Sequence, residues 1–224
     1  MQIRYRKKLK RTGILLAALL SALMLGACSG ENGAEETEAA EAIESTDSAE
    51  NEADKEAETP DFVAMAFESF KVKELYGEEL TQDIFKDADL TMVNLWGTFC
   101  GPCINEMPEL GELSEELKAE GRAQIIGIPL DVITIDENDA IVADDEMVEK
   151  AKKIVEETGA EYTHLIPEGD FGMLIIGSGA AQYVPTTFFV DSEGKLVGDP
   201  VVGAKDKNAW TEIINERLAE VTEE

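Results

Sequence analysis

From residue 67 onward the chain switches repeatedly between short runs of consecutive apolar residues and longer stretches with a three-to-four-residue apolar repeat. The run 90–96, Leu-Thr-Met-Val-Asn-Leu-Trp, predicts a strand buried on both faces, and 124–130 predicts a second. A shorter strand is expected over 161–166. Segments 186–191 and 195–202 flank Ser192-Glu193-Gly194, which predicts a hairpin. Residues 67–80 alternate loosely through Phe67, Phe70, Val72 and Leu75, and Tyr76-Gly77-Glu78 reads as a turn, so a further hairpin is expected at this end.

Between these runs lie helical patterns. Thr81 is placed to cap a short helix to about Asp87. A long helix is expected from Cys100 to about Glu120, closed by Gly121 and kinked at Pro108, because proline removes a helical hydrogen bond. Asp144 or Asp145 caps a helix running to about Thr158 and ended by Gly159, and an amphipathic helix closes the chain over 208–221. Residues 171–182 stay open to either form, since Gly172, Gly177 and Gly179 weaken a helix. Residues 132–143 are expected as an acidic loop. Its Asp136-Glu137-Asn138-Asp139 lacks the glycine and late glutamate of a calcium loop and reads as solvated surface. Helices alternating with buried strands, then a late hairpin and a last helix, predict an α/β domain with a mixed central sheet covered on both faces.

The pattern before residue 62 is different. Arg4, Arg6, Lys7, Lys8, Lys10 and Arg11 precede a short apolar core at 14–25, too short for a comfortable membrane span. Leu25-Gly26-Ala27-Cys28 then resembles the lipobox of bacterial lipoproteins. Residues 1–27 are therefore expected to be a signal peptide and Cys28 the site of lipidation, which would anchor the chain to a bilayer by two acyl chains. From Glu31 to Asp61 there are thirteen acids and one base, Lys55, with no aromatic residue. Residues 28–61 are thus expected to be a disordered acidic tether, leaving 62–224 as one domain. The net charge of −29 excludes a nucleic-acid role.

The chemistry concentrates in Cys100-Gly101-Pro102-Cys103, directly after the 90–96 strand. Two cysteines so spaced at a helix start can close a small disulfide. The exposed N–H groups there stabilise a thiolate on the first sulfur. A structural zinc site is not expected, because with Cys28 taken up by lipidation only His164 remains as a further Cys or His ligand. Cys100 is the expected nucleophile and Cys103, one turn inside, the resolving thiol. Glu106 falls within the apolar arc of Cys103, Met107, Leu110, Leu113 and Leu117, whereas Glu109, Glu112, Glu115, Glu116 and Glu120 fall outside it. A carboxylate in that setting is expected to hold a raised pKa and to exchange a proton with the thiols. His164 is expected to be a satisfied strand histidine. No cofactor and no metal are expected.

Three separated segments carry a resemblance to a known family: 94–103, Glu106-Met107-Pro108, and 184–191 with Glu193-Gly194-Lys195. Over about residues 62–222 the chain resembles the TlpA/ResA-like extracytoplasmic thiol–disulfide oxidoreductases, of thioredoxin fold. The resemblance implies a cis Pro185 beside the cysteines and a Val184 backbone that pairs with an extended partner segment. It also implies a partner-facing surface of Trp96, Phe99, Gly101, Pro102, Val184 and Thr186. The implied partners are disulfide-bearing exported proteins, such as apocytochrome c, a sporulation enzyme or a methionine sulfoxide reductase. A membrane electron donor of the CcdA/DsbD type would restore the electrons. Two positions depart from relatives. Asn94 stands where cytosolic thioredoxins have a buried Asp, and Gly101-Pro102 stands where many close ResA relatives have Glu between the cysteines. A disulfide-forming oxidase and a copper-binding lipoprotein with the cysteines as soft ligands are the competing readings. A peroxidase is a weaker one, since no separate peroxidatic cysteine exists.

Overall fold

The computed structural model describes residues 62–222. The expected signal peptide, Cys28 and acidic tether lie outside the described residues. The elements, in order, are α1 (Phe62–Glu68), β1 (Lys71–Lys73), β2 (Glu79–Thr81), β3 (Leu90–Trp96), α2 (Gly101–Glu120), β4 (Ala123–Pro129), β5 (Ile133–Ile135), β6 (Ile141–Ala143), α3 (Asp145–Thr158), β7 (Thr163–His164), α4 (Gly169–Gly177), β8 (Thr186–Asp191), β9 (Val201–Val202) and α5 (Lys207–Thr222). A 3₁₀ turn over Gln82–Asp87 follows β2, with the Thr81 hydroxyl accepting from the Asp83 amide as its cap.

The central sheet has the order β7-β4-β3-β8-β9. Strands β3, β4 and β7 run parallel, while β8 is antiparallel to both β3 and β9. β3 is buried at every position. Alternation along it divides the core. Val93 and Leu95 join Phe67 of α1, Phe171 of α4 and Phe188 of β8 in one layer. Leu90 and Met92 join Leu110, Leu113 and Leu117 of α2 and Trp210, Ile214 and Leu218 of α5 in the other. α3 adds Val148, Ala151 and Val155 to a cluster that also holds Trp96 and both cysteines. Helices therefore cover both faces, as the pattern predicts.

Several expectations change and one open segment is settled, and the strand expected over 161–166 shortens to Thr163–His164. Phe67 is helical, because Val63, Ala66 and Phe67 form one buried helical face; the N-terminal hairpin is confined to β1 and β2. Residues 132–143 form a hairpin, not a loop: Ile133 pairs with Ala143 and Ile135 with Ile141. The acidic turn between them is closed by Asp136, whose carboxylate accepts from the amides of Asn138 (2.8 Å) and Ala140 (3.0 Å). The ambiguous segment is helical over Gly169–Gly177, and Gly172 is needed there, since a Cβ would lie 2.0 Å from the Pro167 carbonyl oxygen. The strand expected over 195–202 shrinks to β9 and one bridge, Val190 to Leu196. Among the described residues no helix is long and apolar enough to cross a membrane.

Candidate active site

β3 ends at Trp96, and the chain turns through Gly97-Thr98-Phe99 into α2. Asp131, just beyond β4, fixes this turn by accepting from the Thr98 amide at 2.9 Å and its hydroxyl at 2.5 Å. Cys100 is the N-cap of α2 and is bonded to Cys103 as a disulfide. The Cys103 amide donates to Cys100 Sγ at 3.2 Å. That is the orphan donor a helix start offers, here aimed at sulfur. Cys100 Sγ also lies 3.6 Å from the Val184 carbonyl oxygen, and the Val184–Pro185 bond is cis. Residues 84 positions apart in the chain thus meet at the disulfide. Gly101 and Pro102 are exposed beside it, and Phe99 is 72% exposed.

Glu106 sits one turn beyond Cys103 and is only 5% exposed. Its Oε1 accepts from Asn94 Nδ2 at 3.2 Å. Its Oε2 accepts from the Lys205 amide at 3.0 Å and from Trp210 Nε1 at 3.3 Å. Asn94 Nδ2 also donates to Thr187 Oγ1 at 3.1 Å, so β3, β8, α2 and α5 share one polar cluster. Burial pushes the Glu106 carboxyl above the usual range, and the three donors and the Lys205 charge oppose the shift without cancelling it. Three donors occupy three of about four lone-pair sites and leave one oxygen position open to a proton. This is the setting the helical arc of Cys103 and Glu106 predicts.

Sequence reasoning misses two residues around Glu106, Trp210 and Lys205, and one that fixes the turn before α2, Asp131. Trp210 belongs to the closing helix, where a buried indole needs an acceptor for its N–H. Lys205 contributes its backbone amide and its charge, and the amide contact is one that no residue-type pattern marks. Asp131 lies in the segment after β4 and carries no local motif.

Two side chains leave the partner-facing set. Trp96 is fully buried, and its indole N–H donates to His164 Nδ1 at 3.2 Å. The Thr186 side chain is buried, with its hydroxyl donating to the Tyr183 carbonyl oxygen at 2.5 Å. Both sit inside because strands β3 and β8 are central in the sheet. His164 is satisfied, as expected: Nε2 lies 2.9 Å from the Ala160 carbonyl oxygen. Its pKa is lowered to about 4 by burial, against the opposing Ala160 contact.

The Redoxin family profile matches residues 55–213. Thiol–disulfide oxidoreductases ResA from Bacillus thuringiensis and Bacillus anthracis are each 30% identical over 152 residues, 67% of this chain and 70% of theirs. A protein from Chlorobium tepidum assigned as thiol:disulfide interchange protein DsbE superposes with a TM-score of 0.51 at 22% identity, over 67% of this chain and 93% of that one. A DsbF homologue from Corynebacterium diphtheriae gives 0.51 at 20% identity, over 66% and 84%. These two solved structures share the thioredoxin fold with this chain. By the Redoxin match and the ResA identity, the chain belongs to the ResA-like thiol–disulfide oxidoreductases of the Redoxin family.

Proposed function

We propose that the chain is a membrane-tethered, extracytoplasmic reductase of disulfides in exported proteins, with Cys100 as nucleophile, Cys103 as resolving thiol and Glu106 as proton acceptor. The observation that carries the direction is the buried carboxylate of Glu106, one turn beyond Cys103. A negative charge there disfavours thiolates in the reduced form, whereas strong oxidants owe their potential to a stabilised reduced form. The lipobox-like Leu25-Gly26-Ala27-Cys28 supports the tether.

The proposed cycle starts from the dithiol. The Cys100 thiolate, stabilised by the Cys103 amide, attacks one sulfur of the partner disulfide, and the other partner sulfur leaves as a thiolate. Phe99, Gly101 and Pro102 surround the attacked bond, and the Val184 backbone beside Pro185 aligns the partner segment. Glu106 then takes the Cys103 proton, and the new thiolate attacks Cys100 Sγ. The second partner sulfur leaves and is protonated. Two partner sulfurs are reduced and two enzyme sulfurs oxidised. A membrane donor of the CcdA/DsbD type then returns two electrons.

Equilibration of the full chain against glutathione buffers tests the direction. A potential below about −220 mV supports the reductase, and one near about −120 mV, where strong oxidants lie, overturns it. Cys28→Ala is expected to release the chain from membranes, and unchanged retention would remove the tether. Stoichiometric copper binding without exchange activity would favour the carrier reading instead.

A further inference from the structure

The Trp96 indole and the His164 imidazole form a built pair that the exchange cycle leaves unused. Trp96 belongs to the same apolar cluster as Cys100 and Cys103, with Met107 and Ile166. Its carbonyl oxygen accepts the Leu130 amide at 2.8 Å, so its backbone is held where β3 turns toward the cysteines. Its N–H has one acceptor, His164 Nδ1.

His164 can accept there only in one tautomer. The Ala160 oxygen 2.9 Å from Nε2 only accepts, so Nε2 carries the proton and Nδ1 keeps its lone pair. The ring plane is fixed as well. Tyr162 lies over it, with centroids 4.5 Å apart and planes at 30°, and Trp96 meets it at 5.6 Å and 73°. Gly127, the register partner of His164 on β4, makes the space: a Cβ there would lie 2.1 Å from Nδ1. A core that needed only volume would be filled by an aliphatic residue at 164. The imidazole instead matches a donor that would otherwise be buried unpaired, a costly state.

We propose that His164 is a positioning residue for thiol–disulfide exchange, holding the Trp96 indole in one orientation within the cluster that packs the Cys100–Cys103 pair. This rests on the reading that this pair is the reacting one. Exchange by the wild-type chain establishes that separately, and a wild type without exchange would sink that reading rather than this one.

The test compares His164→Leu and His164→Gln in the full chain. Glutamine offers an acceptor to the indole and a donor to Ala160; leucine offers neither. The readouts are the equilibrium constant of the cysteine pair with glutathione and the nuclear magnetic resonance signal of the Trp96 indole N–H in both redox states. His164→Leu is expected to move the equilibrium constant about three- to tenfold, the weight of one buried hydrogen bond, and to shift the indole signal. His164→Gln is expected to restore both to within about twofold of wild type. Unchanged constants in a folded His164→Leu, or no rescue by glutamine, would overturn the assignment. Where His164→Leu fails to fold, Trp96→Phe decides: it removes the N–H and leaves a smaller aromatic ring. The same shift in the equilibrium constant supports the proposal, and none overturns it.

Discussion

On one side of β3, Val93 and Leu95 pack with Phe67, Phe85, Phe171 and Phe188, and the hydroxyls of Thr91 and Thr186 are buried on that same side. Phe67 meets Phe85 edge-on with centroids 5.8 Å apart, and Phe70 lies 4.9 Å from Phe171. On the other side, Asn94 and Trp96 reach Glu106, Thr187 and His164, all buried and all hydrogen-bonded. The same strand thus builds an uncharged, mainly aromatic layer and a layer carrying a buried carboxylate and an imidazole. The difference teaches where stability and chemistry are stored. The aromatic layer supplies apolar burial, which tolerates no charge. The α2 layer accepts the cost of its buried polar groups because Asn94, Trp96, Glu106, Thr187 and His164 each have a partner, while the buried Tyr162 hydroxyl packed against it has none among the described residues. It places a carboxylate one helical turn from Cys103.

The sharpest way to break the comparison is to remove the proposed nucleophile. Cys100→Ser is expected to lower the rate of exchange with a small disulfide by on the order of a thousandfold or more, and a stopped-flow thiol assay measures it. Phe85→Ala addresses the other layer. Urea unfolding should show a loss of about 3–5 kcal/mol, while the redox equilibrium constant of the folded protein stays at the wild-type value. A shift in that constant would mean that the two layers are coupled.

The polar layer should also announce itself through pH. The His164 pKa is depressed from 6.5 to about 4 in the folded chain. Its contribution, about 3 kcal/mol, is therefore fully present above the unfolded value and lost as pH falls from 6.5 toward about 4. Comparing wild type with His164→Gln in urea at several pH values isolates it. Glu106 has the opposite sign. Its folded pKa lies above the ordinary 4.5, so its ionisation costs stability as pH rises from that value through the raised one. Glu106→Gln removes that slope. It should also slow resolution of the mixed disulfide about tenfold, or about 1.4 kcal/mol, and displace the pH profile of thiol alkylation. Identical profiles would return Glu106 to a structural role. The smallest effect belongs to Phe99, which is exposed. Phe99→Ala should change stability by no more than about 0.5 kcal/mol. It should slow exchange with protein disulfides severalfold and leave small disulfides unaffected, which a paired assay separates.

What the chain discloses without its fold is local. The long runs at 90–96 and 124–130, the caps at Thr81 and Asp144, the Gly121 and Gly159 stops and the strand–cysteine–helix order all depend on neighbours within a turn or two, and each appears in the structure. Glu106 was legible for the same reason, since helical period alone puts it among Met107, Leu110 and Leu113. Weakly patterned pieces were less legible. The helix at Phe62–Glu68 packs Val63, Ala66 and Phe67 against Phe171 and Phe188, and the hairpin over 133–143 is tied to the start of α4 by the Ala143 amide on the Glu168 carboxylate, contacts that lie outside either segment.

The sequence by itself determined the chemistry available: two cysteines one helical turn apart, a carboxylate a turn further on, and strands long enough to bury them. Only the tertiary structure decided what those groups touch. Glu106 meets Asn94 across 12 residues and Trp210 across 104, and Trp96 meets His164 across 68. No periodicity spans such separations. They follow from β3 lying between β4 and β8, which brings Gly127, His164 and Thr187 to one side of the sheet. Hydrogen bonding is short-ranged, so a side chain's protonation and orientation depend on groups that the fold, not the neighbouring residues, delivers to within about 3 Å.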